Sequence, residues 1–139
     1  MTTDKLTNAL IAILEPIKPD ASITVVDARA IAEIDLPTIA VDVGDPERHS
    51  LAMPGVMKCP VEITLRAHSG DGETRATLKT WADAIEKAIN GTTAVSSAIT
   101  NAGLGVQCDY FQMDGGSTRW EDTTFEATFT AEAWIQRTS

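Results

Sequence analysis

The stretch from Thr123 to Gln136 constrains the fold more than any other part of the chain. Its odd positions Phe125, Ala127, Phe129, Ala131, Ala133 and Ile135 are apolar, and the even positions Thr124, Glu126, Thr128, Thr130 and Glu132 are polar. Side chains alternate across a strand, so this spacing predicts one unusually long strand with one face on a core. Trp134 breaks the polar series, either as an exposed interface anchor or as the residue closing the edge of the core. A strand over 106–113 is predicted to pair with it. The two are joined through Asp114-Gly115-Gly116-Ser117-Thr118-Arg119, read as a hairpin connection because its residues accept positive φ.

The same period recurs upstream. Val61, Ile63, Leu65 and Ala67 alternate with Glu62, Thr64, Arg66 and His68, and Ile39, Val41 and Val43 alternate with Ala40 and Asp42. These two runs are predicted to pair antiparallel. Ser22 to Val26 has the β-branched content of a further strand without an evident partner, and Asp27 to Leu36 fits a helical turn, a loop or a strand extension. Glu47 to Lys58 holds Pro54-Gly55 and no period, which predicts a long excursion between strands.

Helical spacing appears three times. Leu6, Ala9, Leu10, Ile13 and Leu14 predict a short amphipathic helix over 4–15, with Thr3 as N-cap and Pro16 as its stop. Leu78, Trp81, Ala82, Ile85, Ala88 and Ile89 trace the main packing helix, preceded by a turn whose Asp71 is placed to cap it and ended by Asn90-Gly91. Ala94, Val95, Ala98 and Ile99 predict a shorter helix with Ser96, Ser97 and Thr100 facing out. The fold class is therefore α+β, a mainly antiparallel sheet with helices packed on one face and a long C-terminal hairpin, in a single domain over 1–139.

Charge and motif content narrow the function. With 20 Asp+Glu against 11 Lys+Arg the formal charge is −9, which leaves no basic footprint for duplex DNA. The N-terminus carries no secretory pattern, and the apolar run from Ala9 to Leu14 is far short of the roughly 20 residues of a membrane span, so synthesis in the cytoplasm is expected. Cys59 and Cys108 form no CxxC pair and read as reduced, partly buried thiols. His49 and His68 have no nucleophile or second ligand beside them in sequence, and neither a G-x-S-x-G elbow nor a GK[ST] loop occurs. Gly103-Leu104-Gly105 precedes a strand and reads as a linker turn, because a dinucleotide fingerprint must follow a strand. Asp42 and Asp45 are the best carboxylate pair for a cation, against the plainer reading of a solvated acidic face. No catalytic residue, cofactor or metal site is predicted.

The order of elements, from the helix with Leu6, Leu10 and Ile13, through Val61-Glu62-Ile63-Thr64-Leu65 and the helix Leu78 to Ile89, to the closing pair ending in Phe125 to Trp134, resembles tailed-bacteriophage tail terminator and tail-completion proteins. The resemblance spans nearly the whole chain and rests on element order and length rather than a signature motif. Neck and other head-tail joining proteins share much of this plan. It implies a non-enzymatic virion subunit at the tail and neck. Such subunits form a ring, commonly a hexamer, that caps the tail tube and meets the head-tail connector, with DNA passing through the channel without specific binding. Net acidity is consistent with that channel, since DNA must slide past without phosphate contacts. On this reading, Arg48, His49, Met53 and Met57 in the excursion, Asp114, Arg119 and Trp120 in the connection, and Trp134 are the candidate self-assembly or partner contacts. Two other classes stay open. One is a small-ligand-binding or chaperone-like module with Trp81 and Phe129 lining a pocket, and the other is an enzyme with a metal near Asp42 and Asp45.

Overall fold

A computed structural model of the chain describes residues 2–30, 37–48, 55–68, 75–121 and 123–137. The described elements are α1 (Thr2–Leu14), β1 (Thr24–Asp27), β2 (Thr38–Val43), β3 (Glu47–Arg48), β4 (Met57–His68), α2 (Arg75–Ile89), α3 (Thr92–Asn101), β5 (Val106–Trp120) and β6 (Thr124–Arg137). They build an α+β fold around one sheet in the order β1-β2-β4-β6-β5, with β3 beside the start of β4.

The odd positions of β4 and β6 drive the assembly. Cys59, Val61, Ile63, Leu65 and Ala67 of β4 are buried together with Phe125, Ala127, Phe129, Ala131, Ala133 and Ile135 of β6, and 12 consecutive residue pairs zip the two strands antiparallel from Met57↔Ile135 to His68↔Thr124. Register follows from this pattern, because a one-residue slip would turn every apolar side chain of β6 to water. The helices cover that apolar face. Leu6, Ala9, Leu10 and Leu14 of α1, Leu78, Trp81, Ala82, Ile85 and Ile89 of α2, and Val95 and Ile99 of α3 join the strands in one continuous core. The opposite face, with Glu62, Thr64, Arg66, Thr128 and Thr130, carries no helix among the described residues.

The predicted pairing of β2 with β4 is present, from Thr38↔Arg66 to Val43↔Val61. The partner that the sequence leaves open for β1 is β2, and the pair is parallel, Thr24↔Thr38 to Asp27↔Val41. An Asx turn starts β1, in which the Ser22 amide and hydroxyl donate to Asp20 Oδ1 at 2.8 and 2.6 Å and hold that carboxyl below its ordinary pKa. After β1 the chain enters a short 3-10 turn over Ala28–Ala30; the rest of the Asp27 to Leu36 segment, residues 31–36, lies outside the described residues.

Several boundaries differ from expectation. Thr3 lies inside α1 rather than capping it, and its carbonyl accepts the Thr7 hydroxyl at 2.8 Å. Helix α1 stops at Leu14, and Pro16 sits in a 3-10 turn over Glu15–Ile17 that satisfies the chain's exit. Asp71 falls outside the described residues. The excursion over 47–58 is shorter than predicted, because Glu47↔Lys58 and Arg48↔Met57 pair as strands. Pro60 is accommodated within β4. It sits in β4 where β2 has ended and β3 has not begun, and its carbonyl accepts the Gly44 amide at 2.8 Å, so its missing N–H breaks no ladder bond on that side.

The largest correction concerns the closing hairpin. Asp114 to Arg119 is not the connection but strand, since β5 continues to Trp120 and pairs Gly115↔Thr130 through Trp120↔Phe125. Positive φ is confined to Gly55, Gly103 and Gly105 among the described residues, so Gly115 and Gly116 are extended. They are glycines for a different reason. A Cβ at Gly115 would lie 3.0 Å from Thr130 Oγ1, and one at Gly116 would lie 3.2 Å from Phe129 Cδ1.

Candidate assembly surface

The uncovered sheet face is polar and close to charge-balanced along its middle. Arg66 Nε lies 3.2 Å from Glu126 Oε2 directly across the β4–β6 ladder, and Lys58 Nζ lies 3.4 Å from Glu132 Oε1 on a diagonal. Asp42 and Glu62 face each other across β2 and β4, a like-charge pair that disfavours the sheet by itself. Arg29 relieves it, with Nε 3.2 Å from Asp42 Oδ1 and a second nitrogen donating to the Val43 carbonyl. That arginine gives Asp42 a structural partner. Among the described residues no three His, Cys, Asp or Glu side chains group to hold a metal ion.

Two shallow depressions flank Pro60 on this face. One of about 230 Å³ is lined by Asp42, Gly44, Glu62, Asp114 and Thr130, and one of about 170 Å³ by Glu47, Lys58, Asp114 and Glu132. Both fall below the roughly 300 Å³ at which small-molecule pockets begin. Trp81 and Phe129, expected to line a pocket in the ligand-binding reading, are buried members of the core at 5% and 4% exposure and line neither of these depressions.

The predicted contact residues divide into three groups. Arg48 pairs with Met57 in the β3–β4 ladder, with Met57 half-buried, whereas His49 and Met53 lie outside the described residues. Trp134 stands on the uncovered face, half-buried, with its ring 4.3 Å from that of Tyr110; the Tyr110 hydroxyl in turn donates to Gln112 Oε1. Asp114, Arg119 and Trp120 belong to β5. Asp114 falls at an irregularity between Met113 and Gly115 and accepts the Thr130 hydroxyl at 2.7 Å. Arg119 is exposed, with Nη2 2.8 Å from Glu121 Oε1. Trp120 turns to the helix side instead, its ring 4.4 Å from that of Phe125 and covered by the Arg75 guanidinium at 4.4 Å. It finishes the core at that end.

One polar contact has no counterpart in the sequence reading. Thr100 of α3 is exposed, as its spacing predicts, yet its hydroxyl also accepts the Cys108 amide at 3.0 Å, with the Ser96 carbonyl at 3.1 Å and the Cys108 carbonyl at 3.4 Å as acceptors for its proton. The hydroxyl oxygen therefore takes up a backbone N–H of β5 on the side away from β6. Only a knowledge of which strand ends the sheet could have shown this. Thr100→Val is expected to lose about 0.5–1.5 kcal/mol by removing the acceptor of that amide, read from urea unfolding. A loss below about 0.5 kcal/mol would mean that water replaces the hydroxyl without cost.

Compared with family models and with curated proteins, the sequence matches none.

Proposed function

We propose that this chain is a structural subunit of a tailed bacteriophage, of the tail terminator or tail-completion kind. It assembles as a ring, six copies in the first instance, that caps the tail tube and offers its other rim to the head-tail connector. The subunit is non-enzymatic and acts through surfaces. What carries the reading is the long closing hairpin. β5 and β6 run 15 and 14 residues, and Gly116 to Arg119 near the end of β5 are exposed on both faces of the sheet. Surface of this kind is what a subunit needs to reach a neighbour. The one-sided sheet and the net charge of −9 fit a wall past which DNA slides without being held.

A ring interface is heterologous, one patch meeting a different patch on the next copy, and it closes only at the right rotation. Mass photometry of the purified chain across a concentration series is expected to show a species six times the 14.9 kDa chain mass, appearing in negative-stain images as a ring with a central channel. A chain that stays monomeric at every concentration, and also with tail tube protein added, overturns the proposal. Saturable small-molecule binding by such a monomer would favour the ligand-binding module in its place.

A further inference from the structure

Among the described residues β5 ends the sheet, and its outer edge is not uniform. At the Val106 end the edge is blunted three times over. The Thr100 hydroxyl covers the backbone of Cys108, the register shifts between Cys108 and Tyr110 around Asp109, and it shifts again between Met113 and Gly115 around Asp114. Hydroxyl cover, bulges and exposed carboxylates are the means by which edge strands avoid pairing with other chains. They stop at Asp114. From Gly115 to Trp120 the ladder to β6 runs without interruption, Gly115↔Thr130 to Trp120↔Phe125, and Gly116, Ser117, Thr118 and Arg119 are exposed.

We infer that Gly115–Trp120 is an assembly edge, to which a second copy of this chain adds a strand so that the sheet continues across the subunit boundary. The inference deepens the ring reading and rests on it for the number of copies. Charge selects the occupant. Copies of a chain at −9 repel one another over most of their surface, and Asp109 to Asp114 adds to that repulsion, whereas the only charged side chain within this segment is Arg119, whose contact with Glu121 is exposed on both sides and open to exchange for a carboxylate of the next copy. The length of the edge fits a ring as well. Six residues of ladder cover far less than the roughly 1,200 Å² at which stable pairs begin, so one such contact is weak and becomes persistent only where closure makes every copy use it. Main-chain pairing supplies the affinity, and Arg119 supplies the choice of partner.

Hydrogen exchange of the full chain, read by mass spectrometry at concentrations below and above assembly, tests this directly. Amides within Gly115–Trp120 are expected to slow at least about tenfold on assembly, while those of α2 stay unchanged. Arg119→Glu, at an exposed position whose present ion pair contributes little, is expected to keep the fold and raise the assembly concentration about tenfold. An assembly whose 115–120 amides exchange as fast as in the monomer overturns the edge and leaves the ring standing. Protection of that edge in a dimer or open chain upholds the edge and overturns the ring. A chain that never self-associates overturns both.

Discussion

Phe125→Ala is expected to lower the unfolding free energy by about 3–5 kcal/mol, a large part of what a domain of this size possesses. Phe125 is fully buried near the start of β6, between Ala67 of β4 and Trp120 of β5 in the ladder. Its ring lies 4.4 Å from that of Trp120, which Arg75 covers in turn, so truncation opens a cavity and unseats a stacked aromatic and its cation together. Urea unfolding followed by tryptophan fluorescence reads the loss. A change under about 1 kcal/mol would mean that this end of the sheet frays before the rest unfolds, and that the exposed end of β5 is not held rigidly enough to serve as an assembly edge.

The contrast between β6 and β5 shows what the sequence could and could not carry. In β6 burial decides the pattern, and the alternation from Phe125 to Ile135 marks its face and extent without any knowledge of neighbours. The same holds for β2 and β4 and for the stripe of α2, whereas in α3 only Val95 and Ile99 are buried and Ala94 is exposed. In β5 the pattern is broken by the irregularity at Asp109 and the one at Asp114, each of which shifts the apolar period by one residue, and two adjacent glycines imitate a turn. Their reason lies in Phe129 and Thr130 on the next strand, a non-local fact. The parallel pairing of β1 with β2 was hidden for a similar cause, because backbone ladders leave no mark on side-chain spacing. Of the candidate contacts, Arg119 could be recognised as exposed from its setting among polar residues. Trp120 reads the same way in sequence but packs inward, since the register of β5 and not its composition sets which face it takes.

Alkali should unfold this protein through its two thiols. Cys59 and Cys108 sit on the helix side of the sheet at 0% and 6% exposure, and burial pushes both thiol pKa values up from 9.0 to about 11; at Cys108 the Tyr110 carbonyl, which accepts its S–H, and the charge of Asp109 act as smaller influences. In the unfolded chain a thiol ionises near pH 9, so between pH 9 and 11 the unfolded state has released protons that the folded state still binds. Stability is therefore fully present below pH 9 and falls as pH rises toward 11, with each thiol steepening the slope by about 1.4 kcal/mol per pH unit. Together they are expected to remove roughly 4–6 kcal/mol across that window, enough to bring a protein of ordinary stability near its unfolding midpoint. Urea titrations at pH 8, 9.5 and 11 check the slope. A Cys59→Ala, Cys108→Ala variant isolates the contribution of the thiols. It begins somewhat less stable because two packed sulfurs are gone, yet its stability should fall much less steeply with pH. Equal slopes in the two proteins would show that water reaches the thiolates in the folded state, and that the sheet between β4 and β5 opens around them.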